Sequence, residues 1–256
     1  MPKAYIFLRD SPIYRRDCFI EGVQALGYKP VFQYAHPSAE DIMVAWNRYD
    51  YTDNWATVFS KVGAKVLITE NCVLGKEFRG GGWLTLCRDH HNGAGSWPKD
   101  EGQRWAKIGV ELAPYKPRDP QGKVVLLPQR SIGPKNVAMP RDWQSRLHRF
   151  KIPDTFYRPH PGKSENVPLE TDLAKAKCVV TWGSGAGLKA LMQGVPCVST
   201  WPGWFGAPAS TPIEKVTDWN KVPQLDRLPM FNRLAGALWS CEEIRSGEAI
   251  EALLRI

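Results

Sequence analysis

Three segments in the second half of the chain place polar side chains directly after a short apolar run. The runs 123–127, 155–158 and 178–181 are rich in β-branched and aromatic residues and predict strands. The polar groups that follow them are Gln129-Arg130, Arg158-Pro-His-Pro-Gly162 and Gly183-Ser-Gly185. Because the carboxyl ends of parallel strands meet at one edge of a sheet, these groups predict a single crevice. Two guanidinium groups, an imidazole and a hydroxyl would bind a diphosphate or a nucleoside monophosphate there.

The third of these segments has more glycines than a simple chain reversal needs. Gly183, Ser184, Gly185 and Gly187 precede an Ala/Leu-rich helix that ends at Gly194. The N-terminus of a helix exposes backbone N–H groups that bind anions. The glycine spacing matches neither the P-loop nor the dinucleotide-binding pattern. The turn therefore predicts an anionic, nucleotide-like ligand without naming it.

Alternating strand and helix patterns run through both halves of the chain. The first half has predicted strands at 4–8, 30–34, 41–45 and 65–69 and predicted helices at 17–26 and 54–62. This order predicts an α/β fold with two Rossmann-like, mainly parallel sheets facing one cleft. A proline-rich stretch at 114–120 separates an N-terminal half, residues 1–115, from a C-terminal half, residues 121–256. The last segment, 230–256, is predicted to be helical and could pack back on the N-terminal half.

The segment 70–98 of the first half is predicted to be a long, ordered binding loop. Its glycines, indoles and imidazoles are a poor composition for disorder, and long loops in compact domains are usually functional. Indoles in a loop can stack on bases or sugars, but they also commonly pack a loop onto the core. The residues expected to contact an acceptor are Trp83, His90, Asn92 and Trp97.

His160 has two interpretations, because it lies between two prolines. The two prolines restrict the backbone on both sides of His160 and so restrict the direction of its imidazole, which favours contact with a ligand. The same imidazole could instead cap a turn between the prolines.

The second half resembles GT-B-type glycosyltransferases that carry an HP motif. The resemblance rests on Arg-Pro-His-Pro at 158–161, the glycine/serine turn, and Ala-Leu-Met-Gln-Gly-Val-Pro at 190–196, and it covers about 123–200. Bacterial sialyltransferases and capsule Kdo transferases are of this kind. The resemblance implies donor-nucleotide contacts for His160 and for Gly183, Ser184 and Gly185, beside Arg130 and Arg158. The chain has Lys189 where many members have the glutamate that binds ribose.

An inverting sugar transfer also needs a base for the acceptor hydroxyl and support for the departing phosphate. Three residues of the first half are candidates for the base, namely Glu70, Asp10 and His91. Glu70 closes a predicted buried strand, which would raise its pKa. Asp10 could equally cap the turn that follows it. Asp89 with His90 or His91 resembles an acid–base pair, and the alternative for these three residues is a metal site.

The net charge of +8 favours an anionic partner but is equally compatible with a solvated basic surface. The expected co-substrate is a UDP- or CMP-linked sugar, with no tightly bound cofactor and no required divalent metal. The favoured acceptor is a hydroxymethylpyrimidine base in DNA, by analogy with phage DNA glycosyltransferases. A surface polysaccharide or lipid-linked glycan is the competing acceptor. A non-catalytic nucleotide- or nucleic-acid-binding module is the alternative of another class.

The chain has no apolar run long enough to span a membrane and no CxxC pair among its six cysteines. We therefore expect reduced thiols and a cytoplasmic location, in the host cytoplasm if the chain is phage-encoded, with no membrane partner.

Overall fold

A computed structural model describes residues 1–117, 119, 121–160 and 167–256. The chain divides into two compact units. Unit 1 consists of Met1–Asp100, Ile132–Asn136 and Leu234–Ile256, and unit 2 consists of Glu101–Ser131 and Val137–Arg233. Unit 1 therefore contains the C-terminal segment as well as the first hundred residues.

Eleven strands and nine α-helices are found in the described residues. The strands are β1 Lys3–Phe7, β2 Lys29–Val31, β3 Ile42–Trp46, β4 Lys65–Asn71, β5 Trp83–Arg88, β6 Lys123–Leu127, β7 Thr155–Tyr157, β8 Ala176–Thr181, β9 Cys197–Ser199, β10 Thr211–Pro212 and β11 Leu238–Ser240. The helices are α1 Arg16–Ala25, α2 Tyr51–Lys61, α3 Gln103–Ile108, α4 Trp143–Leu147, α5 Leu169–Ala174, α6 Gly185–Met192, α7 Leu228–Ala235, α8 Cys241–Arg245 and α9 Glu248–Leu254.

The sheet of unit 1 has the strand order β11-β5-β4-β3-β1-β2. Strands β1 to β4 are parallel, and β5 runs antiparallel to both of its neighbours. Alternate residues along each central strand enter different cores. Met43 and Val66 pack with α2, whereas Val44 and Leu67 pack with α1, α8 and α9. Burial on both faces explains the nearly continuous apolar runs in these strands.

The sheet of unit 2 is wholly parallel, in the order β10-β9-β8-β6-β7. Val124 and Val180 of its central strands pack against Trp143 of α4. Helix α6 connects β8 to β9 and forms the predicted βαβ unit. The predicted α/β class with two Rossmann-like, mainly parallel sheets is confirmed.

The prediction of one long binding loop over 70–98 was wrong for Trp83–Arg88, which forms β5. This strand pairs with β4, with Glu70 opposite Thr85, and its other edge pairs with β11. Both faces of β5 are buried, so the sequence shows no alternation of polar and apolar residues. The partner β11 lies far along the chain, which local patterns do not reveal.

The prediction of one helix over 230–256 was also wrong. The segment holds the end of α7, strand β11, and helices α8 and α9. Gly236 ends the first helical stretch where the backbone approaches Pro98, since a Cβ on Gly236 would lie 2.1 Å from the Pro98 carbonyl oxygen. Gly247 separates α8 from α9 with a φ of 88°.

Candidate functional site

The three polar segments of unit 2 follow three neighbouring parallel strands, as predicted. Leu127 at the end of β6 lies opposite Thr181 at the end of β8, and on the other side Leu126 lies opposite Tyr157 of β7. The Thr181 hydroxyl joins two of the strand ends. It donates to the Leu127 carbonyl (3.0 Å) and accepts from the Ser184 N–H (2.9 Å). The ends of β6 and β8 are therefore linked through one side chain, and the end of β7 lies on the other side of β6. We call these three strand ends and the start of α6 the strand-end site.

The glycine turn at this site leads directly into α6. Ser184 is the N-cap residue, and its hydroxyl accepts from the Ala186 N–H at 3.2 Å. The hydroxyl keeps its own proton to donate to a ligand. The first N–H groups of α6 lack partners within the helix and carry its positive dipole end. Gly187 faces the Trp204 indole, which a Cβ would approach to 2.8 Å, so only glycine fits this close packing.

The arginines and the histidine expected at the site differ in their surroundings. The Arg158 guanidinium forms an ion pair with Asp172 of α5 and donates to the Val167 carbonyl at 2.6 Å. Its charge is thus already neutralised within unit 2. Arg130 is exposed to solvent, and His160 is half-buried. The rest of the expected motif, Pro161 and Gly162, lies outside the described residues.

Gln129 adds a further polar group to the strand-end site. Its backbone N–H donates to the Met139 sulfur at 3.3 Å. Its side-chain oxygen Oε1 is buried and has no hydrogen-bond partner among the described residues. Buried polar atoms nearly always have a partner, so this oxygen is positioned to accept from a ligand or a water molecule.

Unit 1 contains a second polar cluster, which centres on Arg48 just after β3. The Arg48 guanidinium binds the Asp53 carboxylate (Nε–Oδ1 2.6 Å) and the Asp89 carbonyl (Nη1–O 2.8 Å). The Arg48 backbone N–H donates to His91 Nδ1 at 3.1 Å. His90 and Asn92 flank His91 in the sequence, so the three residues predicted to bind or activate an acceptor lie together. We call Asn47, Arg48, Asp53 and residues 89–92 the Arg48 cluster.

His91 is 3% exposed, and its pKa is lowered to about 4. Burial is the main cause, and the charges of His90 and Arg48 add to it. A hydrogen bond with the Ile132 backbone and the charge of Asp53 oppose the shift only in part. The imidazole is therefore neutral near pH 7. Since Nδ1 already accepts from Arg48, His91 serves to hold the Arg48 backbone in place.

Several polar atoms of the Arg48 cluster are buried without a protein partner. His90 Nε2, Asn92 Nδ2 and Asn47 Oδ1 have no hydrogen-bond partner among the described residues. Three residues of the cluster have a left-handed backbone conformation, namely Asn47 (φ 63°), Asp89 (φ 68°) and Asn92 (φ 55°). Such strain and such orphaned groups concentrate where proteins bind ligands.

The other expected residues of unit 1 are not in this cluster. Asp10 has an 85% exposed side chain and pairs with Arg16 at 3.3 Å. Trp83 is the first residue of β5, and its ring contacts the Phe78 ring edge-on with the centroids 5.7 Å apart. Trp97 is half-buried against the core of unit 1. Glu70 is half-buried near the end of β4, next to Thr69, whose carbonyl accepts from the Asn47 N–H at 3.1 Å.

Sequence reasoning missed the central position of Arg48. Its place shortly after the predicted strand 41–45 was the available signal. The metal alternative at Asp89, His90 and His91 is not supported, since the described part of the chain contains no group of three metal-ligating side chains suitably placed. None of the described helices has the length and apolarity needed to span a membrane.

The chain is similar to known proteins in structure but not in sequence. No protein-family model matches the chain, and no curated protein matches it. A solved structure from Thermosulfurimonas dismutans, titled KpsC, beta Kdo 2,7 transferase, is similar over 100% of this chain and 99% of its own, with a TM-score of 0.58 and 14% identity. A second, titled KpsC, beta Kdo 2,4 transferase, covers 91% of this chain and 89% of its own, with a TM-score of 0.49 and 13% identity. The chain thus shares the two-sheet fold of a sugar transferase.

Proposed function

We propose that the chain is a glycosyltransferase that moves a sugar from a nucleotide-sugar donor to a hydroxyl group of a glycan acceptor. The observation that carries the proposal is the strand-end site, where three parallel strand ends and the N-terminus of α6 place anion-binding groups on one edge. The full-length likeness in fold to a structure titled a Kdo transferase supports a sugar donor.

The donor phosphate binds at the start of α6 in this proposal. The Gly185 N–H at the first position of α6, the Ser184 hydroxyl and the exposed Arg130 bind the phosphate oxygens. When the bond from the anomeric carbon to the phosphate breaks, the nucleotide leaves with additional negative charge. These donors stabilise that charge in the transition state.

The acceptor hydroxyl loses its proton to a carboxylate as its oxygen attacks the anomeric carbon. Glu70 takes this role in the proposal, because it is half-buried at the carboxyl end of β4. It also follows Thr69, whose carbonyl accepts from the N–H of Asn47 in the Arg48 cluster. Asp10 is the second candidate for the base. His91 acts as a positioning residue for Arg48, because its Nδ1 lone pair is occupied and its pKa is about 4.

Donor binding tests the strand-end site directly. Titration calorimetry with UDP and CMP should give a Kd that Ser184→Ala weakens about 10- to 100-fold, through loss of one hydrogen bond to a charged group. Ser240→Ala is the control, since the Ser240 hydroxyl also caps a helix, α8, and lies in unit 1. Equal nucleotide affinity in Ser184→Ala and wild type would contradict the assignment.

Incubation with UDP- and CMP-linked sugars tests the reaction and its acceptor together. The acceptors are a panel of oligosaccharides and hydroxymethylated duplex DNA, and mass spectrometry detects the added sugar. Transfer to oligosaccharides supports the proposal. Transfer to DNA alone, with binding that weakens with salt at a log–log slope of about 0.9 per phosphate neutralised, would replace the glycan acceptor with DNA. Nucleotide binding without turnover of any donor would indicate a binding module instead.

Substitution of the candidate bases separates their roles. Glu70→Gln should lower kcat at least about 100-fold, as expected for loss of a general base, while the Kd of the nucleotide stays unchanged. The matched variant Asp10→Asn should retain most of the activity. The reverse pattern would assign the base to Asp10.

A further inference from the structure

Two thiols of unit 1 lie in direct contact. Cys18 of α1 and Cys241, the first residue of α8, hydrogen-bond through their side chains. Cys18 is buried, whereas Cys241 is half-buried. The two cysteines are more than two hundred residues apart in the sequence, so only the fold brings them together.

The close packing of α1 against α8 causes this contact. A Cβ on Gly22 would lie 2.0 Å from the Ile244 carbonyl oxygen, so the two helix backbones touch at this point. Cys18 lies one helical turn before Gly22, and Cys241 lies three residues before Ile244. Residues at these spacings share a helix face, so the glycine contact directs both sulfurs into the same gap.

The charged groups around Cys18 favour its thiolate. Arg245 Nη2 donates to Cys18 Sγ at 3.5 Å, and the Arg245 Nε pairs with Glu21 at 2.9 Å. The hydrogen bond from Cys241 lowers the pKa of Cys18 to about 7, against the effect of burial, with Arg245 and Arg15 lowering it and Glu21 raising it. The pKa of the Cys241 thiol is raised in turn, mainly by its hydrogen bond with Cys18. The pair thus loses its first proton close to neutral pH, and the charge then lies on Cys18.

We propose that Cys18 and Cys241 are a redox-active thiol pair, which a small disulfide oxidant converts into a disulfide bond between α1 and α8. Cys241, the more accessible sulfur, passes its proton to Cys18 and attacks one sulfur of the oxidant R–S–S–R, releasing RS⁻. Cys18 then gives this proton to RS⁻ and attacks Cys241 Sγ, and the second RS⁻ leaves. The two protein sulfurs are oxidised by two electrons, and the oxidant is reduced to one RSH and one RS⁻.

A second pair of cysteines provides an internal comparison. Cys178 of β8 and Cys197 of β9 lie on adjacent strands and are fully buried. Burial raises the pKa of Cys178 to about 12 and that of Cys197 well above its usual range. These thiols stay protonated and shielded from a dissolved oxidant, so they should not react in the folded protein.

The test treats the folded chain with glutathione disulfide near pH 7.5, blocks the remaining thiols with N-ethylmaleimide and maps the peptides by mass spectrometry. We expect a peptide pair joined through Cys18 and Cys241, the loss of two hydrogen atoms from the intact mass, and blocking of the other four of the six cysteines after unfolding. Six blocked thiols, a lasting glutathione adduct on Cys241, or a bond between Cys178 and Cys197 would each overturn the proposal.

Variants test the role of the surrounding charge. Arg245→Gln should slow closure of the bond at least about threefold, because Cys18 then gives up its proton less readily when it attacks Cys241 Sγ. Arg255→Gln is the matched control, since Arg255 pairs with Glu251 on α9 in the same segment, and its rate should equal that of wild type. Equal rates for Arg245→Gln and wild type would contradict the role of Arg245. Cys18→Ser should leave a glutathione adduct on Cys241, and the peptide map of the wild type decides the proposal even if this variant does not fold.

Discussion

Asp41 shows how one buried carboxylate fixes the start of the unit 1 sheet. It lies just before β3, is 4% exposed, and accepts from the Lys3 N–H (2.7 Å) and the Ser38 N–H (2.8 Å). Burial by itself would raise the pKa of Asp41, but these hydrogen bonds outweigh it and hold the pKa below its usual value. The charged carboxylate therefore links Lys3 of β1 and Ser38 of the loop before β3 to the start of β3.

Replacement of Asp41 by asparagine should destabilise the chain by about 1.5–3 kcal/mol at neutral pH. Asparagine has one acceptor oxygen, so one partly buried N–H loses its partner. A carboxylate with a lowered folded-state pKa stabilises the fold above its unfolded-state pKa of about 3.9, and this stabilisation is lost as the pH falls below that value. The difference between wild type and Asp41→Asn, measured by urea unfolding, should thus be constant above about pH 5 and shrink below about pH 4.

Asp218→Asn provides the control for this experiment. The Asp218 carboxylate accepts from the Asn220 N–H at 2.9 Å, but it lies in the solvent-exposed part of unit 2. Water can replace this hydrogen bond, so the substitution should change the free energy of unfolding by less than about 0.5 kcal/mol. A pH-independent difference for Asp41→Asn would contradict the role of its charge.

At the scale of residues, sequence reasoning located the strand ends but not the partners of the side chains. Arg158 and Gly183–Gly185 follow strands as expected. The pairing of Arg158 with Asp172 was not predictable, because α5 contributes Asp172 through tertiary packing. Likewise, the sequence marked His91 as a candidate base, and its burial and its bond to Arg48 emerge only in the folded chain.

Helices α1 and α6 end in the same way, which allows a matched comparison at the scale of elements. Gly27 and Gly194 both follow their helix in the left-handed conformation, with φ of 80° and 72°. In each case the glycine N–H and the next N–H bond back to the last turn. Their surroundings differ, since a Cβ on Gly194 would lie 1.9 Å from the Pro114 carbonyl oxygen, whereas a Cβ on Gly27 would meet nothing within 4 Å.

Gly194→Ala should therefore cost more free energy of unfolding than Gly27→Ala. Both variants should lose about 1–2 kcal/mol from the left-handed backbone. Gly194→Ala should lose about a further 1–3 kcal/mol, because the 113–116 segment must move away from α6. Urea unfolding followed by tryptophan fluorescence and circular dichroism measures both losses. Equal losses would show that the packing of this segment against α6 does not constrain the glycine.

Elements were predictable from sequence where local patterns decide their structure. The β-branched runs of β1, β3, β4, β6 and β8 and the glycine that ends α6 are such patterns. Strand β5 was missed because its pairing with β4 and β11 and its burial on both faces are tertiary effects. For the same reason, β11 was assigned to a helix.

At the scale of the whole molecule, the C-terminal segment completes unit 1 rather than extending unit 2. Strand β11 covers the free edge of β5, and α8 and α9 pack on α1. Trp239, Ile244, Ile250 and Leu253 are at most 4% exposed and belong to the core that contains Phe19. Burial of four such side chains contributes about 6–12 kcal/mol. This contribution is as large as the total stability of a typical domain, about 5–15 kcal/mol.

A chain that ends at Arg233 should consequently lose the fold of unit 1 and keep that of unit 2, which is complete at this residue. Limited proteolysis with mass spectrometry should show rapid cleavage throughout residues 1–100 and a resistant fragment that begins near Glu101. The milder variant Ile250→Ala, which leaves β11 in place, should only destabilise unit 1, by about 2–5 kcal/mol, without this cleavage. If residues 1–100 resist the protease in the truncated chain as they do in the full chain, β11 and the last two helices are dispensable. Unit 1 would then be stabilised by its first hundred residues alone.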